Sequence, residues 1–219
     1  MASTFATLRS SGISFIVLLS SFTVRGEAGR DTDMSQHINA LHARTEAALA
    51  ASGLPYVAVR PAYFNSNVLA NKAEIMAGKV GLVYPDVPFD FIAPSDVGVV
   101  CARLLTLPPP SGRQERHVYL CGPEMVTQRR AHEEVMAKAL GHKVEVVELG
   151  EEAWFEKMAG WPRGMVESVV QGLRETSQGK KDAYPEWVYG EAVENLRRLK
   201  GSEPMGLGEW VKKNRGVFE

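Results

Sequence analysis

Two uninterrupted apolar segments on either side of a helical one constrain the fold of this chain most. Residues 13–20 and 54–61 are apolar without alternation, which is typical of strands in a parallel sheet that is buried on both faces. Residues 34–51 repeat apolar side chains at three- and four-residue steps, which predicts one buried helix face: Ile38, Leu41, Thr45, Ala48 and Leu49. Gly53 suits the end of this helix, and Pro61 ends the second strand. The order strand, helix, strand predicts a βαβ unit with parallel strands.

The rest of the chain extends this alternation and then becomes helical. The pattern predicts helices over residues 65–77, 95–105 and 127–140, strands over 117–121 and 144–149, and loops around 78–81 and 108–112. Helices are expected from Glu151 onward, with large side chains as packing residues: Trp154, Phe155, Met158, Trp161 and Met165. The alternative for Trp154, Met158, Trp161 and Met165 is that they line an apolar pocket. We therefore expect an α/β domain over residues 1–150 and a mostly helical lobe over residues 151–219.

Composition limits the partners and the compartment. Charged residues make up 23% of the 219 residues and the net charge is -1, so neither a nucleic acid nor a membrane is an expected partner. Cys101 and Cys121 form no CxxC motif, which favours a reducing, cytoplasmic location. The apolar run at 13–21 is too short and too rich in β-branched residues to be the expected core of a signal peptide. It is also too short for a transmembrane helix, because spanning a bilayer takes about 20 apolar residues. The sequence contains no cluster of histidines and carboxylates with metal-ligand spacing, so no metal site is expected.

A glycine-rich turn is missing where a dinucleotide-binding fold needs one. Such a fold opens with a strand, a glycine-rich turn and a helix, because glycines let the backbone approach the pyrophosphate. Neither GxGxxG nor GxxGxxG occurs, and no third glycine follows Gly26 and Gly29 to start a helix. The strand at 13–20 would also lack a partner on one side, which leaves an apolar sheet edge. We expect that the phosphate-binding N-terminal half of such a sheet is missing, and that the exposed edge is a surface for oligomer formation.

Four stretches carry a family resemblance, in a fixed order along the chain. They are GISFIVLLSS at 12–21, Thr45 and Glu46 with SGLPY and RPAYFNSN up to residue 67, FIAPSDVG at 91–98, and YLCGPE at 119–124 with Thr127. The ending GEWVKKN at 208–214 agrees with them. Together they resemble the NmrA-like branch of the atypical short-chain dehydrogenase/reductases, and among these the fungal reductases of the ergot-alkaloid dehydrogenase type.

The resemblance implies both a fold and a function. The fold is α/β, a partial Rossmann-like doubly wound parallel sheet of the C-terminal strands, with a mostly helical C-terminal substrate lobe. The function is that of an NAD(P)H-dependent oxidoreductase acting on a small molecule, in fungal secondary metabolism. The cofactor would be NADP or NAD, and the residue that distinguishes them belongs to the missing half. Because that half also carries the phosphate site, we expect no measurable binding of the cofactor by this chain alone.

The resemblance also assigns residues to the site, since the two strand ends face the nicotinamide ring in this family. Ser20 or Ser21 would donate a hydrogen bond to a substrate carbonyl or imine. The cofactor-binding residues would be Ser20, Pro61, Ala62, Tyr63, Phe64 and Asn67. The alternatives are structural: a serine can satisfy its own turn, the two aromatic rings can belong to the core, and Asn67 can cap a helix.

The acid of classical family members has no counterpart here. Those proteins use Tyr-xxx-Lys, in which the lysine lowers the pKa of the tyrosine. Counting back from Glu46, the two positions hold Ile38 and His42, so proton donation by that tyrosine is excluded. His37 and His42 are the remaining candidate acids, and His42 is kept as the candidate catalytic residue, although each can be a surface histidine without a role. Hydride transfer to an activated C=N or C=C bond needs less help from an acid.

Three hypotheses therefore stay open. The first is an oxidoreductase of the NmrA-like type, and the second is a non-catalytic regulator that senses a dinucleotide or binds a protein. The third is an inactive product of a truncated gene. The absence of Tyr-xxx-Lys favours the second, and the absence of the glycine-rich turn favours the third.

Overall fold

A three-stranded parallel sheet forms the centre of the fold. A computed structural model describes residues 2–106 and 116–219, and the loop predicted at 108–112 lies outside them. Strand β1 (Ile16–Leu19) pairs with β2 (Tyr56–Pro61), which pairs with β5 (His117–Leu120). Both pairings are parallel and the order is β1-β2-β5, so the predicted βαβ unit and its third strand are confirmed.

Helices cover both faces of this sheet, because successive side chains of a strand point to opposite faces. Tyr56 and Ala58 pack in one cluster with helices α1 (Ala2–Ser10) and α2 (His37–Ala51). Val57 and Val59 pack in another cluster with α4 (Pro94–Thr106) and α9 (Glu186–Lys200). Every residue of β2 is buried, as the uninterrupted apolar pattern predicts for a parallel strand. The predicted doubly wound arrangement is therefore present.

Two small sheets stand beside the central one. Strand β3 (Lys79–Leu82) pairs in parallel with β7 (Glu145–Glu148), and β4 (Pro88–Phe89) pairs antiparallel with β6 (Val126–Thr127). The loop predicted around Gly78 and Gly81 is wrong at β3. Gly81 lies inside this strand because the Leu149 side chain covers it, and a Cβ there would stand 2.8 Å from Leu149 Cδ1.

The remaining helices are mostly short. They are α3 (Lys72–Met76), α5 (Gln128–Arg130), α6 (Ala137–Leu140), α7 (Glu151–Lys157), α8 (Arg163–Ser177), α10 (Leu207–Lys213) and α11 (Arg215–Phe218). A 3-10 segment (Asn65–Asn71) precedes α3, and a π-helical segment (Ala131–Met136) joins α5 to α6. Thr127 is the predicted cap, since its Oγ1 accepts a hydrogen bond from the Arg130 N–H at 3.2 Å. No helix of the described residues is long and apolar enough to cross a membrane.

The buried face of α2 differs from the predicted one. Its buried residues are Asn39, Ala40, Ala43, Glu46 and Leu49, and only Leu49 was expected. Leu41, predicted to be inside, is 53% exposed. The face is made of small residues where Gly29 approaches, because a Cβ on Gly29 would lie 2.7 Å from the Ala43 Cβ. The same face is polar at Glu46, because the Glu46 carboxylate pairs with the buried Arg60 on β2.

Candidate functional site

Two adjoining clefts open where the parallel strands end, which is where ligands bind in open α/β sheets. The first, here called the apolar cavity, has a volume of about 600 Å³ and is lined by residues that include Tyr63, Asn67, Gln128, Trp154, Met158 and Trp161. The second, here called the polar cleft, has a volume of about 400 Å³ and includes Phe22, Arg25, Asp31, Asp33, Lys181 and Asp182. Five side chains line both and form their junction: Ile38, Tyr63, Phe89, Val169 and Leu173. Ile38, the position that the resemblance assigns to the classical catalytic tyrosine, therefore faces both spaces.

Ser20, predicted to donate to a substrate, is turned into the protein. It is buried, and its Oγ donates to Glu46 Oε1 over 2.5 Å. The same carboxylate accepts two hydrogen bonds from Arg60, from Nε at 3.0 Å and from Nη2 at 2.7 Å. The side chains of Arg60 and Glu46 are 0% and 1% exposed. Ser20 thus satisfies a buried ion pair in this structure.

Arg60 also fixes the loop that follows β1. Its Nη2 donates to the carbonyl of Gly26 at 2.8 Å, and its Nη1 donates to the Tyr119 hydroxyl at 2.8 Å. That hydroxyl donates onward to the carbonyl of Val24 at 2.9 Å. An arginine inside an otherwise apolar strand is the sequence signal for this network. We gave Arg60 and Glu46 no role from the sequence, because a single sequence does not show that α2 delivers the carboxylate to β2.

Ser21 and His42 do not line either cleft. Ser21 Oγ shares a hydrogen bond of 3.0 Å with Thr23 Oγ1 and accepts one from the Thr23 N–H at 3.2 Å, so it satisfies its own turn. His42 is half-buried on α2. Burial lowers the pKa of its imidazole, and the nearby charge of Glu46 opposes this shift.

The residues predicted to bind the cofactor separate into two groups. Tyr63 lines both clefts and the exposed Asn67 lines the apolar cavity. Pro61 is the buried end of β2, Ala62 packs in the cluster that contains Phe22, and Phe64 packs in the cluster under α4. Burial raises the pKa of Tyr63 to about 12, against the opposing effect of a hydrogen bond with Asn67.

A buried carboxylate that we did not single out from the sequence holds the strand ends together. Asp90 accepts hydrogen bonds from the backbone N–H of Tyr63 at 2.8 Å, from the N–H of Gly122 at 2.8 Å and from the Tyr184 hydroxyl at 2.8 Å. It thereby joins the end of β2, the turn after β5 and the segment before α9. Burial raises the pKa of Asp90 to about 6, although all three donors favour its charged form.

Comparison with known proteins shows which proteins the chain is similar to. The chain is 27% identical over 215 residues to a (4-alkanoyl-5-oxo-2,5-dihydrofuran-3-yl)methyl phosphate reductase from Streptomyces griseus, covering 97% of this chain and 70% of that protein. It is 29% identical over 224 residues to the nitrogen metabolite regulation-like protein bik4 from Gibberella fujikuroi, covering 94% and 68%. No family model matches.

A solved structure agrees with the fold. The NADPH-dependent quinone oxidoreductase QOR2 of Escherichia coli, determined with NADPH, aligns with a TM-score of 0.71 at 22% identity, covering 97% of this chain and 69% of that one. The relatives and structural neighbours are NmrA-like proteins and NAD(P)-dependent reductases, so the resemblance predicted from the motifs is confirmed.

Proposed function

We propose that this protein is an NAD(P)H-dependent oxidoreductase that acts on a small molecule. The observation that carries the proposal is the pair of clefts meeting at Tyr63, at the carboxyl ends of β1 and β2. A cofactor ring in one cleft and a substrate in the other would be in contact across this junction. The Streptomyces relative is named as a reductase, which supports this reading.

The polar cleft suits the nicotinamide end of a cofactor. Phe22 and Tyr63 offer aromatic faces there, and Arg25 and Lys181 offer cations among three aspartates. A bound dihydronicotinamide would supply a hydride, and the residues of the chain would orient it towards the junction. The loop after β1 offers no matching site for the pyrophosphate of the cofactor, because Gly26 and Gly29 pack closely against other side chains. A Cβ on Gly26 would lie 2.0 Å from Asp31 Oδ2. NADP is the favoured cofactor, since the neighbouring solved structure was determined with NADPH.

The junction favours an acceptor that needs no strong acid. Tyr63 keeps its proton at neutral pH, because its pKa is raised to about 12. Ile38 replaces the classical tyrosine, and neither His37 nor His42 lines a cleft in the described part of the chain. A hydride would therefore reach an activated C=C or C=N bond, and water would deliver the proton that completes the reduction.

A second function has its own support. The relative bik4 is named for nitrogen metabolite regulation, and Ser20, Ser21 and His42 offer no hydroxyl or imidazole to the clefts. A non-catalytic regulator would bind a dinucleotide or a protein without turnover.

Four further expectations belong to the same proposal. Residues 151–219 would act as the substrate lobe, because Trp154, Met158 and Trp161 line the apolar cavity. The protein would work in the cytoplasm and in secondary metabolism. It would associate through the outer edge of β1, which pairs with no other described strand.

Hydride transfer separates the oxidoreductase from the regulator. Purified protein with excess NADPH and uncharged enones or imines should oxidise NADPH faster than the same mixture without protein. Val169→Trp, which fills the junction, should abolish the difference, and Val99→Trp should not. The two valines are 39% and 45% exposed on helices α8 and α4, and Val99 lines neither cleft. Turnover that is absent, or unaffected by Val169→Trp, would contradict the proposal.

A further inference from the structure

The apolar cavity contains no charged side chain among the described residues that line it. Its walls are apolar and aromatic, with Tyr63, Phe89, Trp154, Trp161, Met158 and Met165 among them. Its polar groups are neutral hydroxyls and amides, on Tyr63, Ser66, Asn67, Asn71 and Gln128. In contrast, the polar cleft on the other side of the junction carries five charged residues: Arg25, Asp31, Asp33, Lys181 and Asp182.

Lys157 lies beside these aromatic walls, but its charge is paired outside the cavity. Lys157 Nζ lies 5.4 Å from the ring of Trp154. It is held by the Glu74 carboxylate at 2.7 Å and by the carbonyl of Gly81 at 2.8 Å. A ligand with an anionic group would therefore lose its hydration in this cavity without gaining a counter-charge, which is costly.

Gln128 is the most deeply buried amide of this wall. The residue is 9% exposed and lines the cavity, whereas Asn67 is exposed and Asn71 is half-buried. The buried side-chain atoms that have no hydrogen-bond partner belong to other described residues, Asn65, His132 and Trp154. Because a buried polar group is normally hydrogen-bonded, a ligand that displaces water from this wall has to pair with the Gln128 amide.

The backbone holds Gln128 in place on both sides. Its N–H donates to the carbonyl of Val87 at 3.4 Å, and its carbonyl contacts His132 Nδ1 at 2.7 Å. Since a carbonyl can only accept, His132 carries its proton on Nδ1. The π-helical segment Ala131–Met136 begins three residues later, and such segments are frequent at functional sites. The amide is thus presented from a fixed main chain.

We propose that the apolar cavity selects an uncharged, flat and largely apolar substrate with one hydrogen-bonding carbonyl or imine group, and that the Gln128 amide holds this group. This names the substrate class of the proposed reductase and so rests on that function. The Nε2–H of Gln128 would donate to the acceptor atom while the ring system packs against the aromatic walls. Gln128 is then a specificity-determining residue.

Three ligands of nearly equal shape test the selection without any cofactor. They are 2-acetylnaphthalene, which carries a carbonyl, 2-isopropenylnaphthalene, which replaces the oxygen by a methylene, and 2-naphthoate, which is anionic. Titration followed by tryptophan fluorescence and calorimetry should show that the ketone binds about 3–10-fold more tightly than the alkene, as one net hydrogen bond allows. The carboxylate should bind at least about 100-fold more weakly than the ketone.

Substitutions assign the selection to this wall. Gln128→Leu should bind the ketone and the alkene equally, and should bind the alkene at least as well as the unaltered protein. Gln171→Leu is the matched control, because that exposed glutamine on α8 bonds Glu175 at 2.8 Å and lines neither cleft. Ala70→Arg adds a cation at the exposed rim and should admit 2-naphthoate, whereas Ala102→Arg on the outside of α4 should not.

The outcomes separate this inference from the proposed function. Equal binding of ketone and carboxylate, or a ketone preference that survives Gln128→Leu, would overturn the inference whatever the enzyme assay gives. A ketone preference that depends on Gln128, with no hydride transfer to any acceptor, would leave the selective cavity in place and contradict the reductase.

Discussion

The polar residues that matter most at the strand ends are inside the protein. Glu46 and Arg60 form a buried pair that takes up Ser20, a residue we expected to face the substrate. The sequence could predict that residues 54–61 form a buried strand, but not which helix residue would neutralise Arg60. The sequence therefore predicts a candidate site at the strand ends, whereas the roles of its individual side chains depend on contacts between distant segments.

Breaking the Glu46–Arg60 pair should be costly. Glu46→Ala leaves the Arg60 guanidinium buried without a counter-charge, and should lower the free energy of unfolding by about 3–5 kcal/mol in urea titrations. Glu46→Leu combined with Arg60→Met removes both charges and should cost less than the single substitution. Glu167→Ala, which breaks the exposed pair with Arg163, should leave stability almost unchanged. A single-substitution loss no larger than that of the control would contradict this account of the pair.

Asp90 should make the protein less stable as the pH rises, which is the opposite of the usual effect of a carboxylate. Its pKa rises from 3.8 to about 6 on folding, so the native state binds the proton more tightly than the unfolded state does. The contribution of Asp90 to stability therefore falls as the pH rises from about 4 to about 6, by about 3 kcal/mol. The difference in unfolding free energy between the unaltered protein and Asp90→Asn should show this slope, and an opposite slope would exclude a raised pKa.

The Tyr184 hydroxyl should hold the pKa of Asp90 down. It donates to Asp90 Oδ1 at 2.8 Å and so favours the carboxylate. Tyr184→Phe should raise the pKa of Asp90 further, as measured by carbon NMR of the side-chain carboxyl. Tyr189→Phe is the control, because that hydroxyl donates to the carbonyl of Gly122 and not to Asp90. An unchanged or lowered pKa in Tyr184→Phe would show that the hydrogen bond has no such effect.

At the scale of elements, strands that are continuously apolar could be predicted and short paired strands could not. β1, β2 and β5 could be predicted because each is a run of mostly apolar residues, although only β2 is fully buried. The sequence predicted a loop at β3, because Gly78 and Gly81 suggest a turn. In the structure Gly81 belongs to the strand, and the Leu149 side chain occupies the space that a Cβ on residue 81 would need. A glycine in a sequence is therefore consistent with a turn and also with a side chain packed closely against the backbone, and only the structure distinguishes the two.

Gly122 is the position where such an approach is tightest. A Cβ there would lie 1.9 Å from the carbonyl oxygen of Asp90 and 3.0 Å from the N of Ile92, both backbone atoms. Gly122→Ala should therefore destabilise the protein by about 1–3 kcal/mol or more in urea titrations. Gly160→Ala, with no atom within 4 Å of its added Cβ, is the matched control. Equal stability of the two variants would contradict the packing of the strand ends.

The outer edge of β1 should drive self-association. The N–H groups of Ile16 and Ser20 donate to the carbonyls of Pro55 and Val59, so the N–H groups of Val17 and Leu19 point away from β2. Leu19 is 52% exposed at this edge. Leu19→Lys should shift the protein towards monomer in sedimentation experiments, whereas Leu105→Lys on the outer face of α4 should not. A protein that is monomeric before substitution, or that is dissociated equally by both changes, would argue against this edge.

At the scale of the whole molecule, the chain combines an apolar cavity of about 600 Å³ with a sequence that has no glycine-rich phosphate turn. The doubly wound sheet, its parallel βαβ unit and the helical character of residues 151–219 were predicted from the sequence, because they follow from local patterns. For Trp154, Met158, Trp161 and Met165 the sequence offered an apolar pocket only as the alternative to core packing. The cavity itself could not be predicted, because α2, the 3-10 segment after β2, α7 and α8 form it by contacts across the chain. Its uncharged lining is a property of the tertiary structure alone.

NADPH should consequently bind weakly. Most of the contacts that a dinucleotide-binding fold makes with the pyrophosphate come from the glycine-rich turn and the helix after it. Calorimetry of the 219-residue chain with NADPH should give no measurable heat of binding at micromolar concentrations of ligand. Micromolar affinity would mean that another segment of this chain holds the phosphates.

The most direct test of the account compares two hydride donors in the same assay. One is NADPH and the other is 1-benzyl-1,4-dihydronicotinamide, which keeps the reactive ring and lacks every phosphate. If the chain holds the nicotinamide and the substrate but not the pyrophosphate, both donors should reduce an uncharged enone with similar kcat/KM, and Val169→Trp should abolish both rates. A strong preference for NADPH, or no acceleration of either donor, would contradict the account.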